Sequence, residues 1–220
     1  MENFFDLMLS TPLFCGMDKS ELSSVLGCLE AQKVDFSKGA PVFMEGDAAG
    51  MIGMVLHGSV LIVREDFYGN RSLIAHAEKG DLFAEAFACA GIPFMPVSAY
   101  ANQDSTLLMM DHSKMMTVCS NSCPFHNLLV KNLLQISARK NLALSSKIHF
   151  MSQKTTKEKL LAYLSEQAKV NNSTEFTIAL DRQALADYLG VERSAMSTEL
   201  GKLKKEGKID FKGPHFKILR

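Results

Sequence analysis

The sequence predicts an α+β fold in three consecutive parts: an antiparallel β jelly roll, one long helix, and a helical unit that ends in a β-hairpin. Short β-rich runs separated by glycines fill residues 32–111. A helical apolar pattern then covers about 122–152, and two short helices around a glycine precede the hairpin. These changes of pattern place the three parts at residues 1–120, 121–152 and 153–220.

The first 30 residues have a helical apolar pattern that Pro12 and Gly16 interrupt. Asp18 can accept hydrogen bonds from the free amides that begin the second helix, and Glu21 follows it at capping-box spacing. We therefore expect two short helices ahead of the β-rich region.

The β-rich region has the spacing of a jelly roll, since its strands are short and turn residues recur about every eight to twelve positions. The β-rich runs lie at residues 33–36, 40–44, 51–66, 71–80 and 98–111. Gly69-Asn70 stands between two of them and predicts a hairpin turn.

The long helix is predicted to begin near Pro124, which suits a first helical turn, with Asn121 or Ser122 as its cap. Its apolar stripe consists of Phe125, Leu128, Leu129, Leu133, Ile136, Ala143, Leu144 and Ile148. A stripe of about six turns favours packing along a second copy of the chain, hence a homodimer. The alternative is burial against its own domain.

The last part is predicted to begin with a helix, since Thr155 and Glu158 have capping-box spacing. The hinge between domains is expected just before it, at residues 151–155. The predicted buried side of this helix consists of Leu160, Leu161, Tyr163 and Leu164. A short strand is predicted at residues 177–180.

Residues 181–211 have the pattern of two helices around a tight turn. Asp181 is a plausible cap, and Gly190 ends the first helix where a left-handed residue is needed. The first helix should bury Leu185, Ala186 and Leu189, and the second should bury Ala195, Met196, Leu200 and Leu203. The opposite side of the second helix carries Arg193, Ser194, Ser197, Thr198, Lys202 and Lys205.

A β-hairpin follows directly, with its tip at residues 212–215. Helix, helix and hairpin in this order indicate a winged helix-turn-helix that binds double-stranded DNA. An ordinary helical hairpin with a solvated polar side is the alternative.

The distribution of charged residues also distinguishes the first part of the chain from the rest. The net charge is zero, but residues 1–120 hold 7 Lys and Arg against 15 Asp and Glu, and residues 121–220 hold 17 against 9. A basic half suits phosphate neutralisation, and an acidic half suits sensing or docking. There is no apolar run of membrane-spanning length, and the N-terminus is acidic, so we expect a cytoplasmic protein with no membrane partner.

The order of acidic β-roll, long helix and winged helix-turn-helix resembles the Crp/Fnr family of bacterial transcription regulators. The glycine framework of the roll is similar at Lys38-Gly39, Glu45-Gly46-Asp47, His57-Gly58-Ser59-Val60 and Gly80-Asp81-Leu82-Phe83-Ala84-Glu85. The resemblance implies a cyclic-nucleotide-binding-like effector domain and a homodimer on palindromic DNA. It also implies that the dimer recruits or blocks RNA polymerase.

The same resemblance implies an effector site in the roll but does not identify the effector. Cyclic-nucleotide binders of the family pair a Glu with the ribose and an Arg with the phosphate. Glu85 matches the first, but Met95 stands at the second, and no Lys or Arg lies between Lys79 and Lys114. An unpaired buried phosphate is costly, so we expect an effector other than cyclic AMP. The expected lining is Phe83, Glu85, Phe87, Phe94 and Met95, which could instead simply pack a core.

On the DNA side, the resemblance assigns base reading to Arg193, Ser194, Ser197 and Thr198, with Arg193 the best partner for guanine. Lys202 and Lys212 suit the DNA backbone. Familiar members carry Glu and Arg where this chain has Ser194 and Thr198, so their operator should not be transferred.

Three alternatives stay open at this point. A cupin-like metal enzyme would need converging His ligands, whereas the six His at 57, 76, 112, 126, 149 and 215 are scattered. A thiol redox sensor could use Cys89, Cys119 or Cys123. A scaffold could bind a partner through the acidic half without DNA. We expect that the protein is not an enzyme and that it binds no metal ion. The sequence does not identify a cofactor, which stays unknown.

Overall fold

The first helices of the chain are set by their caps. A 3-10 turn at Glu2–Phe4 leads into α1 (Phe5–Ser10), and α2 spans Lys19–Cys28. The Asp18 carboxylate accepts from the amides of Ser20 and Glu21 at 2.8 Å, while the Glu21 carboxylate accepts from the Asp18 amide at 2.9 Å. The predicted capping box is therefore confirmed.

This computed structural model describes residues 1–117 and 124–219. It divides the chain into two units, Met1–Ala138 and Arg139–Arg220. In the described part, no helix is both long and apolar enough to span a membrane.

Two four-stranded antiparallel sheets form the roll of the first unit, which confirms the jelly-roll prediction. Their orders are β1-β8-β3-β6 and β2-β7-β4-β5. The strands are β1 (Gln32–Phe36), β2 (Pro41–Phe43), β3 (Met51–His57), β4 (Val60–Glu65), β5 (Arg71–Ala77), β6 (Leu82–Phe83), β7 (Ser98–Ala101) and β8 (Ser105–Asp111). Gly69, with φ of 82°, lies in the turn between β4 and β5, as predicted.

The strands of one sheet supply two apolar clusters because successive side chains of a strand point to opposite faces. On β3, Ile52 and Met54 join a helix-side cluster with residues of α1, α2 and the long helix. Val55 points the other way, into an inter-sheet cluster that draws residues from both sheets, among them Val60, Ala99 and Leu107. Burial on both faces explains why β3 is apolar along its length.

Two short helices of the roll were not anticipated from the sequence: α3 (Glu85–Cys89) and α4 (His112–Met116). Each has only five residues, too few to display a helical period. Tertiary contacts stabilise them, since Ala88 and Met115 are buried in the helix-side cluster.

The long helix, α5, spans Pro124–Met151, close to the predicted 122–152. The proposed caps Asn121 and Ser122 lie outside the described residues. In the first unit, Leu129 and Leu133 are buried, and the buried Asn132 donates its side-chain amide to two backbone carbonyls of the N-terminal segment at 2.9 Å each. Further along the helix, the stripe residues Ala143, Leu144 and Ile148 are exposed in the single chain.

The second unit combines helices with a three-stranded sheet of order β10-β11-β9. Its elements after α5 are α6 (Thr156–Val170), β9 (Glu175–Thr177), α7 (Arg182–Leu189), α8 (Arg193–Lys205), β10 (Ile209–Lys212) and β11 (His215–Ile218). The strand predicted at 177–180 is wrong in position, because it ends at Thr177. Thr177 makes the last pair of this strand, with His215, and after it the chain leaves the ladder for α7.

The core of the second unit is one cluster that joins the last turn of α5 to α6, α7, α8 and the hairpin. Phe150 of α5 lies among it, 3% exposed, with Leu160, Tyr163 and Leu164 of α6. Thr155 and Glu158 form the predicted capping box at the start of α6.

Candidate nucleic-acid interface

The first helix of the motif, α7, begins and ends as its sequence predicts. The Asp181 carboxylate accepts from the Ala184 amide at 2.8 Å, which caps the helix. Gly190 closes it with φ of 59°, a conformation that favours glycine. Leu185, Ala186 and Leu189 are fully buried, so α7 packs on α8 through the expected face.

The second helix, α8, starts with a cap that the sequence reasoning missed. Glu192 accepts from the Ala195 amide at 2.8 Å and from the Ser194 hydroxyl. The Ser194 hydrogen bonds and the Ala195 amide hold the pKa of this carboxyl below its ordinary value. Glu is less usual at a cap than Ser, Thr, Asp or Asn, and for that reason the cap was overlooked.

The buried side of α8 consists of Met196, Leu200 and Leu203, which are at most 1% exposed. Ala195, predicted to join them, is exposed instead. At about 100° per residue, Ala195 lies roughly a quarter turn away from Met196, on the far side from Leu200. Alanine is small and apolar enough to occur on either side of a helix, which explains the error.

The residues predicted to read bases, Arg193, Ser194, Ser197 and Thr198, are all exposed, as expected. The Ser197 hydroxyl donates to the Arg193 carbonyl at 2.9 Å, and the Thr198 hydroxyl donates to the Ser194 carbonyl at 3.0 Å. Each hydroxyl donates back into its own helix but keeps acceptor lone pairs that face solvent. The face can therefore accept hydrogen bonds without rearrangement.

The lysines around this face fall into two groups. Lys202 pairs with Glu199 at 2.6 Å, and Lys204 pairs with Asp210 at 2.5 Å. Among residues 1–117 and 124–219, Lys205 and Lys212 make no ion pair, and both are exposed. These two can meet an anion without first breaking a contact, whereas Lys202 must leave its carboxylate.

An open hollow of about 560 Å³ lies between the start of α6 and the exposed side of α8. It is lined by Thr155, Thr156, Lys157, Ser194, Ala195, Thr198 and Glu199. The N-terminus of the 15-residue helix α6 thus lies beside the exposed polar side of α8. Helix N-termini attract anions because their first amides lack intrahelical partners.

The proposed effector residues of the roll are divided between the core and the surface. Phe83, Phe87 and Met95 belong to the inter-sheet cluster, whereas the long helix packs on the helix-side cluster. The ring of Phe83 lies over Gly53, where an added Cβ would come within 2.1 Å of it. Phe83 therefore packs the core tightly, as the alternative interpretation allowed.

Phe94 is 62% exposed, whereas the adjacent Met95 is 3% exposed. Phe94 forms an isolated bridge with Ala48, and Met95 exchanges backbone hydrogen bonds with the segment at Gly46 and Asp47. Neighbouring residues of extended backbone point to opposite sides, so Phe94 and Met95 have different surroundings, and a site that both of them line stays a prediction. Glu85 begins α3 and is 4% exposed.

Among the three proposed redox-sensing cysteines, Cys89 lies in the described part of the chain, where it keeps exposed surface. Burial, and then the charge of Glu85, raises the pKa of the Cys89 thiol, which disfavours the reactive thiolate. Cys119 and Cys123 lie outside the described residues. Within the ranges 1–117 and 124–219, no group of three or more His, Cys, Asp or Glu could hold a metal ion.

Comparison with known proteins agrees with this architecture. Residues 33–122 match the family model of the cyclic nucleotide-binding domain, and residues 158–220 match that of the Crp-like helix-turn-helix domain. The transcriptional activator protein FnrL of Cereibacter sphaeroides is 24% identical over 214 residues, covering 90% of this chain and 81% of the relative.

Two solved structures share the fold. The catabolite activator protein of Thermus thermophilus is 23% identical with a TM-score of 0.50, covering 94% of this chain and 93% of that one. DNR from Pseudomonas aeruginosa is 23% identical with a TM-score of 0.51, covering 98% and 93%. The effector-type roll and the Crp-like helix-turn-helix thus occur together, in the order that regulators of this kind have. The chain belongs to the Crp/Fnr family of transcription regulators, which are DNA-binding transcription factors and not enzymes.

Proposed function

We propose that the protein acts as a homodimer on a two-fold symmetric site in double-stranded DNA, with α8 of each protomer in the major groove. The observation that carries the proposal is the exposed polar face of α8, which stands on a fully buried opposite side. A helix of this kind, followed by a hairpin, suits insertion into a groove. Bound there, the dimer recruits or blocks RNA polymerase.

Within this complex, Arg193 is the base-reading cation, since a guanidinium can bond the two acceptors of guanine in the major groove. Ser194, Ser197 and Thr198 add short polar contacts to base edges. Lys202 and Lys212 bind the DNA backbone. Lys212 suits this role better, since it makes no ion pair within the described part of the chain, whereas Lys202 pairs with Glu199.

The hollow between α6 and α8 supplies a further backbone contact that the sequence reasoning did not include. A phosphate there would meet the amides of Thr156 and Lys157, since those of Thr155 and Glu158 are already bonded within the capping box. The signal was present in the sequence as the capping box at Thr155, which predicts where a helix N-terminus opens. What the sequence could not show is that this end lies beside α8.

The homodimer is supported by apolar side chains on α5 that the single chain leaves in water. Leu134, Leu144, Ile148 and Met151 are 68%, 60%, 67% and 44% exposed. With Asn141 they follow one another at steps of seven, three, four and three residues, the spacing of a coiled-coil seam. A partner helix would bury this seam, and Asn141 within it would favour one register.

For the effector, we propose a molecule other than cyclic AMP. Met95 is buried where the family's phosphate-binding Arg would stand, and no Lys or Arg lies between Lys79 and Lys114. A buried cyclic phosphate would have no cation to pair with. Of the candidate residues, Phe87 and Phe94 keep exposed surface, so these two are the ones that an effector could contact without opening the core.

The experiment that tests the function is selection of bound sites from fragmented genomic DNA, with purified protein at low salt. We expect enrichment of a two-fold symmetric sequence, and an affinity that falls steeply as salt rises. Arg193→Ala should weaken the enrichment and relax the base preference at one position of each half-site, while Lys169→Ala, at the far end of α6, should do neither. Enrichment of asymmetric sites, or none by the folded protein, would refute the proposal.

A thermal shift assay tests the effector separately. Cyclic AMP at millimolar concentration should leave the unfolding temperature unchanged, because a ligand raises it only by binding the native state. A rise of several degrees would contradict our exclusion of cyclic AMP and leave the DNA-binding proposal intact.

A further inference from the structure

The turn of the β10–β11 hairpin is tied to the segment that leads into α7. The Ile178 amide donates to the Pro214 carbonyl at 3.0 Å, and the Arg182 guanidinium donates to the Gly213 carbonyl at 2.9 Å. Beside them, the Thr177 hydroxyl and the His215 ring nitrogen Nδ1 lie 2.7 Å apart. Both central carbonyls of the turn are therefore held from the same side.

Arg182 makes a second kind of contact with the same hairpin. Its guanidinium carbon lies 5.0 Å from the ring centre of Phe211 and 4.9 Å from that of Phe216. The two rings belong to residues paired across β10 and β11, and their centres are 5.6 Å apart. Cations within about 6 Å of an aromatic face are attracted to it.

The guanidinium is thus engaged by the hairpin at three points, two rings and one carbonyl. The Arg182 side chain is half-buried, and this burial lowers the pKa of its guanidinium from the ordinary value. A cation whose task was to meet DNA directly would be better left in solvent, as Lys212 is. The arrangement suits a group that acts on the hairpin.

Without Arg182 the turn would have room to move. A hollow of about 390 Å³ separates it from the segment before α7 and is lined by Ile178, Ala179, Leu180, Asp181, Arg182, Gly213 and Pro214. The hydrogen bond from Ile178 to Pro214 and the contact between Thr177 and His215 would remain, but neither of them holds the Gly213 carbonyl. Glycine resists displacement least of all residues.

We propose that Arg182 is a positioning residue, which clamps the hairpin turn to the start of the helix-turn-helix and so presents Lys212 to the DNA backbone. The proposal rests on the DNA-binding function above. In it, Arg182 contributes to DNA affinity through Lys212 and not through a phosphate contact of its own.

A double-mutant cycle distinguishes an effect of Arg182 through Lys212 from a direct phosphate contact of Arg182. Lys212→Ala should lower the slope of log affinity against log salt by about 0.9, the value for one phosphate contact. Arg182→Met, which keeps the length of the side chain, should lower it by a similar amount. The double variant should show no further loss, because the contact is already missing. A double variant with twice the loss in slope would show that Arg182 binds phosphate itself, and would overturn the proposal.

The conservative variant sharpens the result. Arg182→Lys keeps the charge but loses the planar fork that stacks on rings and donates to Gly213. A positioning role predicts that Lys fails to rescue binding, whereas a simple phosphate contact would be largely rescued. Should Arg182→Met fail to fold, Phe211→Leu removes one stacking ring while leaving Arg182 in place, and it must show the same non-additivity with Lys212→Ala.

Hydrogen exchange in the DNA-free full-length protein separates failure of this inference from failure of the proposed function. Arg182→Met should speed exchange of the Ile178 amide at least tenfold, since its partner Pro214 lies in the released turn. The Ala184 amide, bonded to Asp181, serves as the control that should not change. Equal exchange rates of the Ile178 amide in the wild type and in Arg182→Met would refute the positioning role of Arg182, even if DNA binding is confirmed.

Discussion

Phe150, in the last turn of α5, packs edge-on against Tyr163 of α6, with ring centres 5.7 Å apart and planes at 84°. Tyr188 of α7 completes the group, with its ring centre 5.8 Å from that of Tyr163. Edge-to-face pairs add to the free energy that aromatic burial alone provides. The last turn of the long helix is therefore part of the core of the DNA-binding unit.

We predict that Phe150→Ala lowers the free energy of unfolding of the second unit by about 3–5 kcal/mol, because it removes a buried aromatic ring and leaves a cavity. Urea unfolding of the full chain, followed by circular dichroism, measures the change. Val170→Ala, at a side chain that is 71% exposed, is the control and should change stability by less than about 0.5 kcal/mol. Equal effects of the two variants would contradict the packing.

Gly53→Ala tests the close contact in the roll. The added methyl group would lie 2.1 Å from the ring of Phe83, so the ring or strand β3 must shift. We expect a loss of about 1–3 kcal/mol in the free energy of unfolding. Phe83→Leu in the same chain should recover part of it. Gly27→Ala, where nothing lies within 4 Å, should be neutral or slightly stabilising.

These contacts show which features of the fold the sequence could and could not predict. Caps and turns are local, so Asp18, Thr155, Asp181 and Gly190 predicted helix ends that are confirmed. The contact of Phe83 with Gly53 joins residues 30 positions apart, and no local pattern reveals it. Short helices such as α3 could not be predicted for the same reason. The stability of α3 comes from the burial of Ala88 in the core and not from a helical repeat of apolar residues.

The candidate sites divide in the same way. On α8 the helical period alone separates the exposed Arg193 from the buried Met196, and the prediction failed only at Ala195, whose size fits both sides. In the roll, the expected site assumed that Phe94 and Met95 share a face. Their loop is extended and irregular, so its two sides could not be assigned from composition.

The seam on α5 predicts how the dimer can be broken. Leu144→Glu or Ile148→Glu should convert the dimer to a monomer at micromolar concentration, because a charge would be buried where two seams meet. Light scattering coupled to size exclusion measures the mass. Leu142→Glu is the matched control, since Leu142 is 70% exposed but lies off the seam, and it should leave the dimer intact. A monomeric wild type would refute the seam outright.

Arg193 and Lys205 should differ in how they affect DNA binding. Arg193→Ala should cost about 1–3 kcal/mol on the selected site and relax the base preference at one position of each half-site. Lys205→Ala should weaken all sequences alike and lower the salt slope by about 0.9. Titrations on the selected site and on single-base variants decide between the roles. Unchanged base preference in Arg193→Ala would make Arg193 a backbone contact.

The second unit should lose stability in acid. A hydrogen bond from Lys157 at 2.8 Å, with lesser help from Lys208, lowers the pKa of Glu206, and one from Lys204 lowers the pKa of Asp210. Because the folded-state pKa values lie below their ordinary values of 4.5 and 3.8, the unfolded chain binds more protons in acid. The contribution of these groups is therefore present near neutral pH and is lost as pH falls through this range.

Urea unfolding of the full chain between pH 3 and pH 7 measures this dependence. Glu206→Gln should lower stability at pH 7 and leave it nearly unchanged at pH 3, where the wild-type carboxyl is already protonated. Lys157→Met should flatten the profile in the same way, since it removes the partner that lowers the pKa of Glu206. A Glu206→Gln profile parallel to that of the wild type would show that the pair does not couple folding to pH.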